Sequence, residues 1–386
     1  MQYRKFGQLD WQSSVLGFGC MRFPTIDGDS GKINQTKTNE MIWKAIEGGV
    51  NYFDTAYVYH KEQSEVALGH ALAYGYRNKV RIATKLPIWL VKTPDDFDRM
   101  LDEELQRLQT DVIDFYLMHA LSAESWEKVH KLGLLKRAEA AIADGRIGHV
   151  GFSFHDKLPV FKQIVDGYDK WTFCQIQYNY MDIDFQAGKK GLQYAADKGL
   201  AVVIMEPLRG GKLAAELPAA TPLWDQAAVK RTPADWALQW IWNQPEVTLV
   251  LSGMSTLEQV EQNIGSADRS AVGSLSKNEL ALIDRVRATL DGLSPIDCTQ
   301  CEYCLPCPQG VNIPRVFEYY NRVAVYDDLP GVRKSYTRFF DEEQKAGNCI
   351  QCGECVPKCP QSIPISDWMP VIEEVLGKNQ AYQKEI

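Results

Sequence analysis

Eight short runs of β-branched and aromatic residues, each followed by an amphipathic stretch, and a late crowd of cysteines predict an α/β chain. Its expected form is a parallel (β/α)8 TIM barrel with a smaller, mainly helical C-terminal domain. The runs cover 14–19, 50–54, 80–85, 112–119, 149–153, 173–178, 200–205 and 247–251. Between them apolar residues recur at helical spacing, as in 95–108 and 123–143. Glycines stand just before the next strand at Gly48-Gly49, Gly145 and Gly199, the place of a left-handed helix-ending residue. Residues 3–6 and the turn 7–10 read as the start of a hairpin ahead of the first barrel strand. The rival, an open doubly wound sheet, would carry G-x-G-x-x-G after that strand, and Gly17-Phe18-Gly19-Cys20-Met21-Arg22 lacks the third glycine. A last helix at 277–290 runs into Asp291-Gly292-Leu293-Ser294-Pro295, so the barrel is expected over 1–290 and the second domain over 291–386, with a helical segment at 314–345.

Charge and cysteine placement restrict the function classes. A formal net charge of -8 without a Lys/Arg run argues against a nucleic-acid surface. No stretch has the roughly 18 apolar residues of a spanning helix, and Met1 to Gln8 has no apolar signal region. No membrane partner is expected. Of ten cysteines only Cys20 and Cys174 precede residue 297, and a lone cysteine in a strand usually serves as a small core residue. The rest are spaced as ligands, which suits a reducing, cytoplasmic setting better than a disulfide scaffold.

Those eight form two motifs, Cys298-x2-Cys301-x2-Cys304-x2-Cys307-Pro308 and Cys349-x2-Cys352-x2-Cys355-x3-Cys359-Pro360. A cubane takes three thiolates from one tight loop and a fourth from elsewhere, and in such pairs the Cys before Pro serves the other cluster. Two 4Fe–4S clusters are expected, one on Cys298, Cys301, Cys304 and Cys359, the other on Cys349, Cys352, Cys355 and Cys307. Zinc also accepts four thiolates, but zinc ribbons use cysteine pairs. The first motif is one residue short before its last Cys. Such modules resemble helical ferredoxin domains, which move single electrons.

Barrel chemistry sits at the C-terminal strand ends. There the second strand leads into Asp54-Thr55-Ala56-Tyr57-Val58-Tyr59, the third ends in Lys85 and the fourth in His119. In this order and context, Phe53-Asp54-Thr55-Ala56 with Tyr59, Ala83-Thr84-Lys85 and 114–119, the chain resembles the aldo-keto reductases over about residues 1–270, and the cysteine module matches a subgroup of that family. The resemblance implies hydride addition to a carbonyl, with Tyr59 as general acid/base and Lys85 lowering its pKa. It further implies that Asp54 orients Lys85 and that His119 bonds the carbonyl oxygen.

The same resemblance implies a nucleotide along Gly19, Cys20, Met21, Asp54, Ser153, Gln175, Met205, Pro207, Leu208, Gly210, Gly253, Ser255, Gln259 and Asn263. It matches only in part. Phe154 stands where the family has Asn, Met205 where it stacks an aromatic ring, and Gly253 and Gln259 where it grips a 2′-phosphate with Lys and Arg. Losing those charge-assisted bonds removes roughly 1.5–3 kcal/mol each, so NAD(P)H is expected without an NADP preference. Three readings stay open: an NAD(P)H-dependent carbonyl reductase acting on a small-molecule carbonyl; an oxidoreductase fed by ferredoxin or another redox protein through a flavin; and a non-catalytic partner-binding protein. Tyr57, Trp89, His155 and Trp224 are candidate pocket walls.

Overall fold

The computed structural model describes residues 1–298, 302–359 and 361–385, so Cys301 and Pro360 lie outside the described residues. The chain divides into two compact units, Met1–Ala215 with Arg231–Leu280, and Glu216–Lys230 with Ala281–Ile386. No helix among the described residues is long and apolar enough to cross a membrane.

The first unit begins with an antiparallel pair, β1 (Tyr3–Lys5) and β2 (Gln12–Ser14). Eight parallel strands follow: β3 (Leu16–Gly19), β4 (Tyr52–Asp54), β5 (Arg81–Pro87), β6 (Ile113–Leu121), β7 (Ile147–Phe154), β8 (Phe173–Gln177), β9 (Ala201–Met205) and β10 (Leu249–Ser252). They close in sequence order, with β10 against β3. All eight expected runs are barrel strands. The helix at Asp95–Leu108 also falls where periodicity put it. The stretch 123–143 instead forms two helices, Ala123–Lys131 and Leu134–Ala143, because Gly133 takes a φ of 64° between them.

The hairpin closes one end of the barrel. Phe6, fully buried, packs on Tyr52, Phe115 and Phe173 at centroid distances of 5.9, 4.6 and 5.6 Å. These rings, with Ala83, Leu117, Ala201, Val203, Leu249 and Leu251, form an apolar cluster at the inward strand positions. Truncating such a ring forfeits its transfer energy and leaves a cavity. Phe6→Ala is expected to cost about 3–5 kcal/mol, read as a lower denaturant midpoint with an unchanged slope. A change under about 1 kcal/mol would mean that the ring is not the plug.

In the second unit the helix Ile313–Tyr326 turns Val316, Phe317, Tyr320 and Val323 onto one face, where they meet Val332, Tyr336, Trp368, Met369 and Ile372. The expected single segment 314–345 is split. Asp327 is left-handed at φ 50°, and the Asp328 carboxylate accepts a 2.9 Å bond from the Gly331 N–H, starting a second helix at Leu329–Phe339.

Candidate functional site

Side chains on a strand alternate between its two faces, so inward residues recur every second position. One such step beyond the apolar cluster leads from Tyr52 to Asp54, from Ala83 to Lys85, from Leu117 to His119, from Phe173 to Gln175 and from Val203 to Met205. The end of the barrel opposite Phe6 is therefore polar. Lys85 is 1% exposed, and its Nζ donates to Asp54 Oδ1 and to the Thr55 carbonyl, both at 2.5 Å. It lies 5.0 Å from the centre of the Tyr59 ring. The His119 ring stands edge-on to Tyr59 at 6.2 Å and 80°. The structure thus brings Asp54, Tyr59, Lys85 and His119 together.

Local backbone holds these groups. Tyr59 is followed by three left-handed residues, His60, Lys61 and Glu62, at φ 53°, 53° and 70°. Each such residue costs of order 1–3 kcal/mol and persists where surrounding contacts overdetermine it. His60 Nε2 accepts from the Phe23 N–H at 3.1 Å, Lys61 pairs with Asp29 at 2.9 Å, and Glu62 pairs with Arg107 at 2.6 Å. Beyond His119 the register of β6 shifts at Ala120, left-handed at φ 57°. The Ala120 N–H donates to Ser153 Oγ at 2.8 Å, so the Ser153 oxygen already holds the bulge that follows His119.

Burial governs the protonation of the group. It would lower Lys85, but Asp54 and then Tyr59 more than reverse it, and the ammonium pKa is raised. Burial raises the Asp54 carboxyl against the pull of Lys85. Tyr59 is raised as well: burial exceeds the stabilisation of its phenolate by Lys85, opposite to the sequence expectation. Burial, with the Lys85 charge behind it, holds His119 well below the ordinary imidazole value, so the ring is neutral.

The wall candidates separate. Trp89 packs 4.9 Å from His119, and His155 is near enough to add to the lowering of its pKa. Tyr57 points into the helical layer, donating to Glu103 Oε2 at 2.6 Å beneath the Arg107 guanidinium. Trp224 belongs to the second unit.

Several residues read as nucleotide contacts also gather at strand ends. Gln175 Oε1 is buried without a hydrogen-bond partner, an acceptor facing no protein donor. Pro207 is buried, Leu208 and Met205 are half-buried, and Gly210 is exposed with φ 68°. Asn263 Nδ2 donates to Ser252 Oγ at 3.0 Å, and the Ser255 N–H donates to Gln259 Oε1 at 2.8 Å, so Asn263 and Gln259 brace the loop after β10. Gly19 sits where a Cβ would come within 3.3 Å of the Ser252 carbonyl. Met21 is exposed, whereas the Cys20 thiol is fully buried in the core between strands and helices.

Sequence reasoning passed over Arg22. Its side chain crosses from the end of β3 to the loop after β10, where a Cβ on Gly253 would meet its Cγ and Cδ at 3.2 Å. The Ser255 hydroxyl fixes the same residue by donating to the Arg22 carbonyl at 3.0 Å. The only signal in the sequence is its position directly after Gly19-Cys20-Met21.

In the second unit the cysteines line two hollows. One is bordered by Cys307, Cys349, Cys352 and Cys355, with Cys304, Pro306 and Pro308. The other is bordered by Cys298, Cys304 and Cys359. A lining of cysteine thiols is a soft donor set of the kind that iron–sulfur groups use.

Comparison with known proteins agrees with both halves. Residues 15–288 match the aldo/keto reductase family, and residues 297–363 match a 4Fe-4S dicluster domain. Among relatives, "Uncharacterized oxidoreductase YrpG" of Bacillus subtilis (strain 168) is 25% identical over 342 residues, spanning 76% of this chain and 98% of that protein. L-galactose dehydrogenase of Arabidopsis thaliana is 24% identical, covering 76% of this chain and 97% of its own. The solved structure of aldo-keto reductase AKR11C1 from Bacillus halodurans in its holo form superposes with a TM-score of 0.61 at 24% identity, covering 74% of this chain and 96% of that one. An aldo-keto reductase from Klebsiella pneumoniae, solved in complex with NADPH, gives 0.58 at 22% identity, over 74% and 95% of the two chains. The family match takes in every barrel strand and the whole Asp54, Tyr59, Lys85 and His119 cluster: the chain is an oxidoreductase of the aldo-keto reductase family that carries a C-terminal 4Fe–4S dicluster domain.

Proposed function

We propose that the barrel, taken as residues 1–290, reduces a small-molecule carbonyl, or oxidises the matching alcohol, with Tyr59 as the proton-transferring group. The observation that carries this is Lys85, buried and held by Asp54 and Thr55 beside the Tyr59 ring. Asp54 keeps the ammonium charged and fixed in place. Lys85 stabilises negative charge on the phenol oxygen as Tyr59 gives up its proton to the carbonyl oxygen. His119, neutral, donates a hydrogen bond to that oxygen as charge develops. A nicotinamide cofactor, when bound, supplies the hydride. Gln175, with its free Oε1, and the residues around Gly19, Met205, Gly210 and Gly253 would hold it. The NADPH bound in the Klebsiella relative supports this choice.

The thiol-lined hollows favour a second activity for residues 291–386. There Cys298, Cys301, Cys304 and Cys359 would bind one 4Fe–4S cluster, and Cys349, Cys352, Cys355 and Cys307 the other. Their role is single-electron transfer with a ferredoxin-type protein, in the reducing cytoplasm that suits thiolate ligands. One-electron carriers pass no hydride, so a coupled version of the two activities needs a flavin as converter.

Anaerobic protein separates these versions. Nicotinamide-dependent aldehyde reduction and a spectrum with iron–sulfur absorption but no flavin bands are the expected result. A flavin band together with no response to NADH or NADPH would replace the nicotinamide reading with the flavin one.

A further inference from the structure

We propose that Arg22 is the phosphate-binding residue of the nucleotide site, a role that rests on reading the barrel mouth as a nicotinamide site. The loop after β10 has no cation of its own at Gly253 or Gln259, and the Gln259 side-chain oxygen is already taken by the Ser255 N–H. Arg22 fills that gap from another strand. Its stem lies in the space that any side chain at position 253 would enter, with Cγ and Cδ at 3.2 Å and Cβ at 3.5 Å from that Cβ point. Glycine at 253 therefore gives the arginine stem room, since a Cβ there would press on it.

The guanidinium end reaches across the mouth to the loop after β9, where Nη2 lies 3.6 Å from the Cβ point of Gly210. Among the described residues it makes no hydrogen bond or ion pair, although its carbonyl is anchored by Ser255. Its neighbour Arg209, by contrast, is held by Asp182 at 3.2 Å. A carboxylate oxygen of Glu206 lies 3.8 Å from the same Gly210 point, and among the described residues it forms no ion pair with Arg22. A backbone anchored by Ser255, an exposed five-donor fork and two flanking glycines that leave room for a ligand make a site for a bidentate oxyanion. The anion is a nucleotide phosphate, either a 2′-phosphate or the pyrophosphate.

Anaerobic calorimetric titration of the full chain with NADPH and with NADH tests this directly. Arg22→Gln is expected to weaken binding by roughly 10- to 150-fold, the loss of one charge-assisted contact, and Arg22→Lys to recover part of it. A loss confined to NADPH identifies the 2′-phosphate, and an equal loss for both identifies the pyrophosphate. Wild-type affinity of Arg22→Gln for both nucleotides overturns the assignment while leaving the nicotinamide reading intact. If the unaltered protein binds neither nucleotide, the cofactor reading fails and the role of Arg22 fails with it.

Discussion

Replacing Tyr59 by Phe is expected to reduce kcat/KM for aldehyde reduction by about 10²–10⁴-fold, the usual worth of a positioned general acid. Nicotinamide affinity should stay within about twofold, because the change deletes one oxygen and no ring contact. Phe keeps the edge-on packing against His119 and leaves the Lys85–Asp54 pair intact. Lys85→Met is a poorer probe. It strands the Asp54 carboxylate in a buried site, and breaking a buried pair costs about 3–5 kcal/mol of stability on top of any catalytic loss. The pH dependence is a second readout. Burial raises Tyr59, so the phenol stays protonated through neutral pH and the reduction rate should decline only above the ordinary phenol value of about 10. Alcohol oxidation needs the phenolate and should rise with pH over the same range. His119 is lowered, so no limb should appear near the ordinary imidazole value of about 6.5. Retained reduction in Tyr59→Phe would remove the residue from the chemistry, and a limb near the imidazole value would mean that His119 acts as a cation.

The residues of this cluster were legible because a strand imposes a period of two. Once Phe53-Asp54, Thr84-Lys85 and Met118-His119 are placed on parallel strands, the second member of each pair turns inward and the first outward. The direction of the Tyr59 shift was not legible, since it depends on how much protein covers the ring, and burial belongs to the whole fold rather than to any motif. Arg22 escaped for a related reason. Its partners Ser255 and Gly253 lie far off in sequence, 233 positions in the case of Ser255, and only the closing of β10 on β3 brings them together. Periodicity also overran two helix breaks. At Gly133 one left-handed residue interrupts an apolar pattern that continues on both sides, and at Asp327-Asp328 a cap does the same. The segment Glu216–Lys230 carries no local sign that it packs with the second unit rather than the barrel.

The largest expected effect in the second unit concerns which cysteines act together. Cys307 borders the same hollow as Cys349, Cys352 and Cys355, Cys359 borders the hollow of Cys298, and Cys304 borders both. Pro306 and Pro308 flank Cys307 with fixed φ angles, which stiffens the approach of that thiol. Paired substitutions read the connectivity. If ligands are crossed, Cys307→Ser with Cys349→Ser removes two thiolates from one cluster, leaving about four of about eight iron atoms per chain. Cys298→Ser with Cys307→Ser then removes one thiolate from each and should lose nearly all the iron and the visible absorption. If each motif instead keeps its own four cysteines, the two results exchange places. Anaerobic iron analysis beside the spectrum distinguishes them. Half-loss in Cys298→Ser/Cys307→Ser with full loss in Cys307→Ser/Cys349→Ser would sink the crossed arrangement. Crossing also predicts cooperativity. Each cluster would then tie the segment around 298–307 to the one around 349–359, so losing either should expose the apolar core around Phe317, Tyr336 and Trp368, which that closure covers.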